Sequence, residues 1–598
     1  MHCIRILVLT ALFSLVLICN GFCEVAGGEV PKGPAFKQGS FDLASVVHPR
    51  VTKLPQPKIT HSIEGVQCQI SAKTPEARDH VRQGFALVHA QWQFEAYRHF
   101  CAALTKEPDC LMAYAGVALS WIQPFNEYSA CREAAVARML ELSDADDVIV
   151  KQGGQGAYVD SEKRFVRAVA ALVAQKPETA TRLFLQLARE DPSCLQAKVI
   201  GLFLDRGEYN VADEPSQKRL DVVEETRGML EDHPENAMIM GFWLMLNAEA
   251  PNSALNIKTD ILPYARFLTK KYPEVPTWQH ALGHYEWRSG NYFLAQRAFR
   301  RAAKIYEQWM KAQNIPLADC EGYVKSKCYL ANALFQMGDF AEAMKVAMGL
   351  RELKPDPLRP QSEGNQMILW RAYHLPARLY ITRDSVQNLD KALETLPGKD
   401  ELQAFVSHQE FPTLAGVYIE ALAAYIGSRK AISEGSFQEA GQIRNTGLRA
   451  LIRRLAEVVD GAMRSPDFTH YFNAGSSLAV YNTELAGLIA QDGTSSPSAT
   501  ALNHFMSARD KQGTPSLMMP PLVLSAMENR VGDYYYSVGR HADAYEAYVQ
   551  GLERYPHNME SLQGVLRTLE NLGRTDEAQR VSEHIELIRK ARDASSSN

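Results

Sequence analysis

Residues 276–309 read PTWQHALGHYEWRSGNYFLAQRAFRRAAKIYEQW, and the spacing of their small and aromatic residues decides the fold. Counted from residue 276, Gly283 stands at position 8, Gly290 at 15, Ala295 at 20 and Phe299 at 24. Gly283 and Ala295 have almost no side chain, so two helices can cross closely while Phe299 fills the space beside them. Gly290 breaks the chain between the helices. The stretch therefore predicts a 34-residue helix–turn–helix unit.

The same register recurs along the chain, with alanine at position 20 each time. The further copies are residues 77–110, 161–194, 324–357, 525–558 and 559–592. No stretch alternates between apolar and polar residues over enough positions to require a strand. The period is that of the tetratricopeptide repeat (TPR). The sequence therefore predicts an all-α, TPR-like helical solenoid, a right-handed superhelix of antiparallel helix pairs with degenerate middle repeats.

Composition shifts divide the chain into six predicted segments. The acidic residues 143–147 (SDADD) predict a turn within the N-terminal repeat array. The glycine-rich residues 152–156 predict an interhelical loop. The predicted segments are a signal peptide (1–23), a flexible linker (24–60), an N-terminal TPR-like array (61–365), degenerate helical repeats (366–524), a C-terminal TPR pair (525–592) and a disordered tail (593–598).

The first residues predict export. One arginine precedes an apolar run over residues 6–19, and small residues stand at Gly21 and Cys23, a pattern typical of a cleaved secretory signal. We therefore expect a periplasmic or secreted protein with no membrane span in the mature chain; an uncleaved anchor is the less favoured alternative. Seven cysteines remain after Cys23 without any C-x-x-C pair, which argues against a disulfide framework or a zinc site and leaves a single disulfide open.

Composition and motifs argue against several classes of function. The chain is 46% hydrophobic and 22% charged with a net charge of −5, so no overall field favours nucleic acid. Nucleophile-elbow, zinc-protease and phosphate-loop motifs are absent from the sequence. We therefore predict a non-enzymatic protein without a cofactor.

Inward-facing positions of the first helix in each repeat supply the candidate binding residues. In a TPR these positions line the concave groove, and here they combine aromatic rings with amide, imidazole and charged groups. That composition suits a protein or peptide segment of unknown identity. The candidates are His280, His284, Trp287, Arg288, Lys325, Asn332, Gln336, Asn529, Asp533 and Tyr536. The alternative interpretation is that degenerate repeats scatter such residues and the groove is merely solvated.

Two other functions remain open. His280 and His284 are four residues apart, so they share a helix face and could bind a metal or serve an enzyme, although a third ligand is not evident. The chain could also be a purely structural component of the cell envelope.

Three stretches resemble a family of large bacterial exported TPR proteins. They are GFALVHAQWQFEAYRHFCAALTKEPDCLMAYAGVALSW (84–121), HALGHYEWRSGNYFLA (280–295) and GDYYYSVGRHADAYEAYVQGLERYPHNMESLQGVL (532–566). The resemblance covers residues 61–587 and implies the helical-repeat fold, with no assigned reaction or cofactor. It also implies histidines near residues 241–244 (GFWL), where this chain has none, which weakens a metal site.

Overall fold

A computed structural model describes residues 41–596, except 60–62, 64–65, 67, 124–125, 211–212, 252–253, 404–413, 460–467, 492–497, 514–516 and 518. The predicted signal peptide and the first part of the predicted linker lie outside these residues. The chain forms two compact units. Of the described residues, the first unit comprises those up to 254 with 264–278 and 308–316, and the second comprises those in 255–263, in 279–307 and from 317 onward.

The first unit is built from helices that pack in sequence order. Each of α2 to α4 contacts the next, as do α6 to α8, and α8 contacts α10. The helices are α1 (Pro49–Thr52), α2 (Pro75–His89), α3 (Gln93–Lys106), α4 (Leu111–Ser120), α5 (Ser129–Lys151), α6 (Asp160–Val173), α7 (Pro177–Glu190), α8 (Leu195–Leu204), α9 (Gln217–Asp232), α10 (Ala237–Leu246) and most of α11 (Leu262–Lys271).

The second unit follows the same plan, with short π-helical turns at residues 368–372 and 443–448. Its helices are α12 (Pro276–Arg288) and α13 (Tyr292–Gln313) apart from residues of each that belong to the first unit, then α14 (Glu321–Gln336), α15 (Phe340–Arg351), α16 (Glu363–Met367), α17 (Leu375–Tyr380), α18 (Val386–Thr395), α19 (Lys399–Gln403), α20 (Ala415–Ser433), α21 (Phe437–Gln442), α22 (Arg449–Glu457), α23 (Phe468–Gln491), α24 (Ala499–Lys511), α25 (Met527–Ser537), α26 (His541–Arg554), α27 (Met559–Asn571) and α28 (Thr575–Ser596).

The all-α, TPR-like prediction is confirmed. Across the ranges given above, the only extended pairing is an isolated bridge between Tyr209 and Pro215. Several pairs of consecutive helices pack as hairpins, and neighbouring pairs contact one another within a unit; the pairs include α2 with α3, α6 with α7, α14 with α15, α23 with α24 and α25 with α26. This arrangement places successive first helices side by side, which is the property that builds a groove.

The hairpins close because a glycine on one helix faces an aromatic ring on the next. A Cβ atom added at Gly283 would lie 2.8 Å from the ring of Phe299, and one added at Gly532 would lie 2.6 Å from Tyr548. Ala295, at the predicted helix crossing, is fully buried. The small residues at positions 8 and 20 therefore have the packing role that their spacing predicts.

The turn between the two helices requires a left-handed residue. Gly290 (φ 78°) and Gly338 (φ 83°) occupy position 15 of their repeats in this conformation, which glycine adopts without strain. At Gly290 a side chain would also meet the carbonyl oxygen of Pro556, 2.5 Å from an added Cβ. In the first unit, Gln91 (φ 64°) and Gln175 (φ 59°) hold the same position. Consequently, the turn geometry persists where the glycine signature is lost.

Three sequence-based expectations need correction. The acidic residues 143–147 do not form a turn: they lie inside α5, where Lys163 pairs with Asp146 and Asp147. Part of the predicted linker is folded, since Val46 is fully buried and its carbonyl accepts a hydrogen bond from Tyr97. The predicted tail from residue 593 begins within α28, which extends to Ser596.

One hairpin in the degenerate region escaped the sequence search. Helices α23 and α24 pack against each other, and a Cβ at Gly487 would lie 2.5 Å from the ring of Phe505. The glycine and the ring stand 18 residues apart, instead of the 16 that separate Gly283 from Phe299. The longer connection shifts the register, so a search at fixed spacing misses the repeat.

Candidate binding groove

Most of the predicted groove residues are buried inside the second unit. His284 and Gln336 are fully buried, and Trp287 and Asn332 are each 1% exposed. His280, Arg288, Lys325 and Asn529 are also buried. Asp533 and Tyr536 are half-buried. The structure therefore brings the candidates on α12 and α14 into a packed interior and leaves those at the end of α25 near solvent.

A non-helical segment of the same chain occupies this interior. Residues 519–525 (MPPLVLS), which we call the strap, connect α24 to α25 without helix or strand. Met519, Leu522, Val523 and Leu524 are all buried. The strap therefore lies along the inner surface of the unit as a non-helical peptide, with bends at residues 519, 522 and 525.

The strap is held by its main-chain carbonyl oxygens. The Tyr329 hydroxyl donates to the carbonyl of Met519 at 2.9 Å, and Arg371 Nη1 donates to that of Pro520 at 3.0 Å. Arg378 Nη1 donates to the carbonyl of Pro521 at 2.7 Å. These donors come from α14, from the π-helical turn at 368–372 and from α17.

Three more side chains continue the pattern at both ends of the strap. The Tyr481 hydroxyl donates to the carbonyl of Leu522 at 2.8 Å, and Gln336 Nε2 donates to that of Leu524 at 3.0 Å. His280 Nε2 lies 3.3 Å from the carbonyl of Leu517, and its Nδ1 lies 3.1 Å from Ser326 Oγ. A carbonyl can only accept, so this geometry assigns the imidazole proton to Nε2.

Two arginines next to the strap carry buried positive charge. Arg371 and Arg378 are each 1% exposed. Neither arginine forms an ion pair with a carboxylate in the described part of the chain. Burial, followed by repulsion from Arg378, lowers the pKa of Arg371 to about 10. A buried cation needs strong acceptors. The strap carbonyls, together with His374 Nδ1 and the Arg371 carbonyl, supply them to Arg378.

The histidine face of α12 is a packed aromatic cluster. The ring of His284 lies 5.8 Å from those of both Trp287 and Tyr329, and the ring of His280 lies 5.2 Å from Phe299. Burial, followed by the charge of Lys325, lowers the pKa of His280 to about 3. These rings therefore belong to the hydrophobic interior, and His280 stays neutral at physiological pH.

The C-terminal end of the strap opens into a polar cavity of about 240 Å³. Asp533 and Arg567 line it and are paired with each other, with side chains 45% and 44% exposed. Asn529 also lines the cavity. Tyr536 lies beneath the Arg567 guanidinium, 4.7 Å from its ring centre. Two predicted groove residues thus border the cavity and a third adjoins it.

Charged groups are matched around the cavity. Arg530 Nε lies 2.7 Å from Glu484, and its Nη1 lies 2.7 Å from Asp384, which also pairs with Arg429. Burial opposes ionisation of Glu484, but Arg530 and Arg429 hold its pKa below the ordinary value. Burial raises the pKa of Glu560 to about 7, although its hydrogen bond to Ser525 acts in the opposite direction. Glu560 is therefore the carboxyl at the strap end that titrates near neutral pH.

The described ranges contain no group of three or more His, Cys, Asp or Glu side chains placed to hold a metal ion. All seven cysteines after residue 23 are free thiols. No helix in the described part of the chain combines the length and apolarity needed to cross a membrane.

Sequence reasoning missed the strap and several of its donors. Arg371, Arg378 and Tyr481 lie in the region without a clear repeat, so no position in the repeat marked them as inward-facing. The sequence of the strap was the one signal from which it could have been predicted. Two consecutive prolines at 520–521 within an apolar run exclude helix and favour an extended, polyproline-like chain.

Comparison with known proteins yields distant structural likenesses only. No protein-family model matches the chain, and no curated protein matches it. Among solved structures, "Human IFIT1 dimer with m7Gppp-AAAA" is 13% identical and covers 75% of this chain and 95% of its own, with a TM-score of 0.28. The APC/C hetero-tetramer Cut9-Hcn1 is 13% identical and covers 87% and 97%, with a TM-score of 0.25. The P58(IPK) TPR domain is 12% identical and covers 83% and 99%, with a TM-score of 0.18. At these scores, what those proteins bind says nothing about this chain.

Proposed function

We propose that this chain is a non-enzymatic protein-interaction scaffold of the bacterial cell envelope. The predicted signal peptide at residues 1–23 supports export, and the resemblance to large bacterial exported TPR proteins supports the setting. The partner is a protein or peptide segment, since the net charge of −5 offers no general attraction for nucleic acid.

One observation carries the proposal: inward-facing side chains of the second unit bind a non-helical peptide segment by its main chain. Tyr329, Arg371 and Arg378 donate to three successive carbonyls of the strap. Hydrogen bonds from charged donors contribute about 1.5–3 kcal/mol each and neutral ones about 0.5–1.5 kcal/mol. Main-chain recognition with apolar side chains in pockets is a general mode of peptide binding. The groove therefore has the chemistry of a peptide-binding surface.

The accessible part of this surface is the polar cavity at the strap end. Asp533 and Arg567 form a half-exposed ion pair there, which an approaching partner can reach. Removing both members together avoids leaving one charge unpaired. The double substitution Asp533→Ala with Arg567→Ala is therefore the mildest change that alters the binding surface.

The test is affinity capture with the purified mature chain from an envelope extract, read by quantitative mass spectrometry. The matched control is Glu586→Ala with Arg589→Ala, an exposed ion pair on α28 outside the cavity. We expect one or more proteins to be enriched by the wild type and the control, and to be lost at least about tenfold with the Asp533/Arg567 variant. That factor corresponds to 1.4 kcal/mol, within the cost of removing an interface contact.

Two results would overturn the proposal. One is the absence of any protein enriched by the wild type over beads alone, which would favour a purely structural envelope component. The other is an identical partner set for all three proteins, which would remove the cavity from the binding surface.

A further inference from the structure

The main-chain contacts of the strap do not depend on its own sequence. Five of its main-chain carbonyl oxygens, at residues 519, 520, 521, 522 and 524, accept hydrogen bonds from inner-face side chains. The carbonyl of Leu517, which precedes the strap, lies 3.3 Å from His280 Nε2. Any peptide that follows the same path carries such oxygens. Side chains impose a second requirement, because the pockets for Met519, Leu522 and Leu524 are buried and accept apolar groups.

The strap leaves part of the donor set unused. Arg371 is 1% exposed, yet its Nε and Nη2 have no hydrogen-bond partner within the described part of the chain. Asn332 is also 1% exposed, and neither its Oδ1 nor its Nδ2 has a partner there. Asn332 lies between Tyr329 and Gln336 on α14, both of which hold the strap. A buried polar group without a hydrogen-bond partner is unfavourable. The groove thus has more capacity for polar contacts than the strap fills.

We propose that the strap is an intramolecular competitor, and that the partner of this groove is a non-helical, apolar, proline-containing peptide segment that displaces it. The inference rests on the proposed function and adds the chemistry of the partner. Proline restricts the backbone before binding, which reduces the entropy lost on docking. The additional donors on Arg371 and Asn332 give an incoming segment contacts that the strap does not make.

Occupancy by the strap sets the apparent affinity for any such segment. The apparent dissociation constant equals the intrinsic one divided by the fraction of molecules with an open groove. A tethered segment also has an effective concentration on the order of millimolar. Weakening the strap in the protein therefore tightens the binding of a free peptide, whereas a strap that is a fixed part of the core predicts no such gain.

The experiment uses the full mature chain and a peptide of residues 519–525 with blocked ends and a fluorophore. The test variant carries Leu522→Asp and Leu524→Asp, which place charge at two buried strap positions. The matched control carries Leu572→Asp and Leu587→Asp, at leucines that are 37% and 64% exposed. A second peptide carrying the two strap substitutions tests specificity. Circular dichroism checks that each variant retains the helical content of the wild type.

We expect the strap variant to bind the 519–525 peptide at least about tenfold more tightly than the wild type and the control do. The substituted peptide should bind none of the three. Equal affinity of the wild type and a folded strap variant would overturn the inference, as would equal binding of both peptides.

If the strap variant does not fold, a second measurement tests the inference. Hydrogen–deuterium exchange at Leu522, Val523 and Leu524 is recorded in the wild type with and without excess 519–525 peptide. Faster exchange with the peptide supports displacement, and unchanged exchange overturns it. If envelope proteins are still captured but exchange in the strap is unchanged, this inference alone is contradicted. Peptide binding by the strap variant without any captured envelope protein would contradict the proposed function alone.

Discussion

Arg378 and Pro521 are joined by a hydrogen bond of 2.7 Å, from the guanidinium Nη1 to the proline carbonyl oxygen. The same guanidinium donates through Nε to His374 Nδ1 at 3.0 Å and through Nη2 to the Arg371 carbonyl at 2.8 Å. A planar fork of donors is needed to reach three acceptors in different directions. Arg378 thus connects the strap to the helical framework, through the His374 ring and the main chain of Arg371.

Replacing this fork by a single ammonium should loosen the strap. We predict that Arg378→Lys lowers the local opening free energy around residues 368–380 and 519–525 by about 1.5–3 kcal/mol, the value of a charged hydrogen bond. Hydrogen–deuterium exchange measures this opening free energy locally. A local measurement is the appropriate one because the chain has two compact units, and a single global unfolding transition is not expected of such a chain. Exchange in the first unit serves as the internal control, and unchanged protection of the strap would contradict the prediction.

The glycine packing can be tested within one helix. Gly487 and Gly475 both lie on α23, but an added Cβ would lie 2.5 Å from the Phe505 ring at Gly487 and would meet nothing within 4 Å at Gly475. We predict that Gly487→Ala destabilises α23 by about 1–3 kcal/mol through overpacking. Gly475→Ala should stabilise it by about 0.5–1 kcal/mol, because alanine favours helix. Similar exchange rates for both variants would argue against a tight hairpin between α23 and α24.

The raised pKa of Glu560 predicts that stability near the strap end depends on pH. Its neighbours are Ser525, Arg530, Asp533 and Arg383, and burial raises its pKa from 4.5 to about 7. The folded protein therefore holds this proton more tightly than the unfolded chain does. The resulting stabilisation is complete below pH 4.5 and is lost as the pH rises through 7. Between those pH values, the local opening free energy of α27, measured by hydrogen–deuterium exchange, should fall more steeply in the wild type than in Glu560→Gln. Parallel profiles for the two proteins would show that Glu560 titrates in its ordinary range.

Export makes a prediction at the N-terminus. If residues 1–23 are a cleaved signal, the protein isolated from the envelope or the medium begins at Glu24. The mass of the intact mature chain measures this directly. A chain that retains Met1 would favour the uncleaved anchor instead.

The hairpins could be predicted because their packing depends on local spacing. Gly283 and Phe299 are 16 residues apart in sequence and touch in the structure, so a fixed period reveals them. The same fixed spacing does not detect the α23–α24 hairpin, because Gly487 and Phe505 are two residues further apart than Gly283 and Phe299. The acidic residues 143–147 were misassigned as a turn because their partner, Lys163, belongs to the next helix.

The candidate site was predictable only in part. Position in the repeat marked His280 and Gln336 as inward-facing, and both contact the chain between α24 and α25. The occupant could not be foreseen, because Leu517 and His280 lie 237 residues apart and no local pattern encodes such a pairing. Arg371 and Arg378 were missed for a similar reason, since they precede the segment they hold by more than 140 residues. The partner role of the ten predicted residues remains a prediction.

The central claim is that the strap lies in the groove with Ser525 against Glu560. Ser525→Cys with Glu560→Cys places two thiols where the native side chains share a hydrogen bond. Dibromobimane, a short bifunctional thiol reagent, should then join residues 525 and 560 in most molecules, identified by mass spectrometry of the cross-linked fragments. Ser525→Cys alone should give no such fragment. Absence of the 525–560 cross-link in the folded double variant, with both thiols shown to be reactive, would contradict a strap docked in the groove.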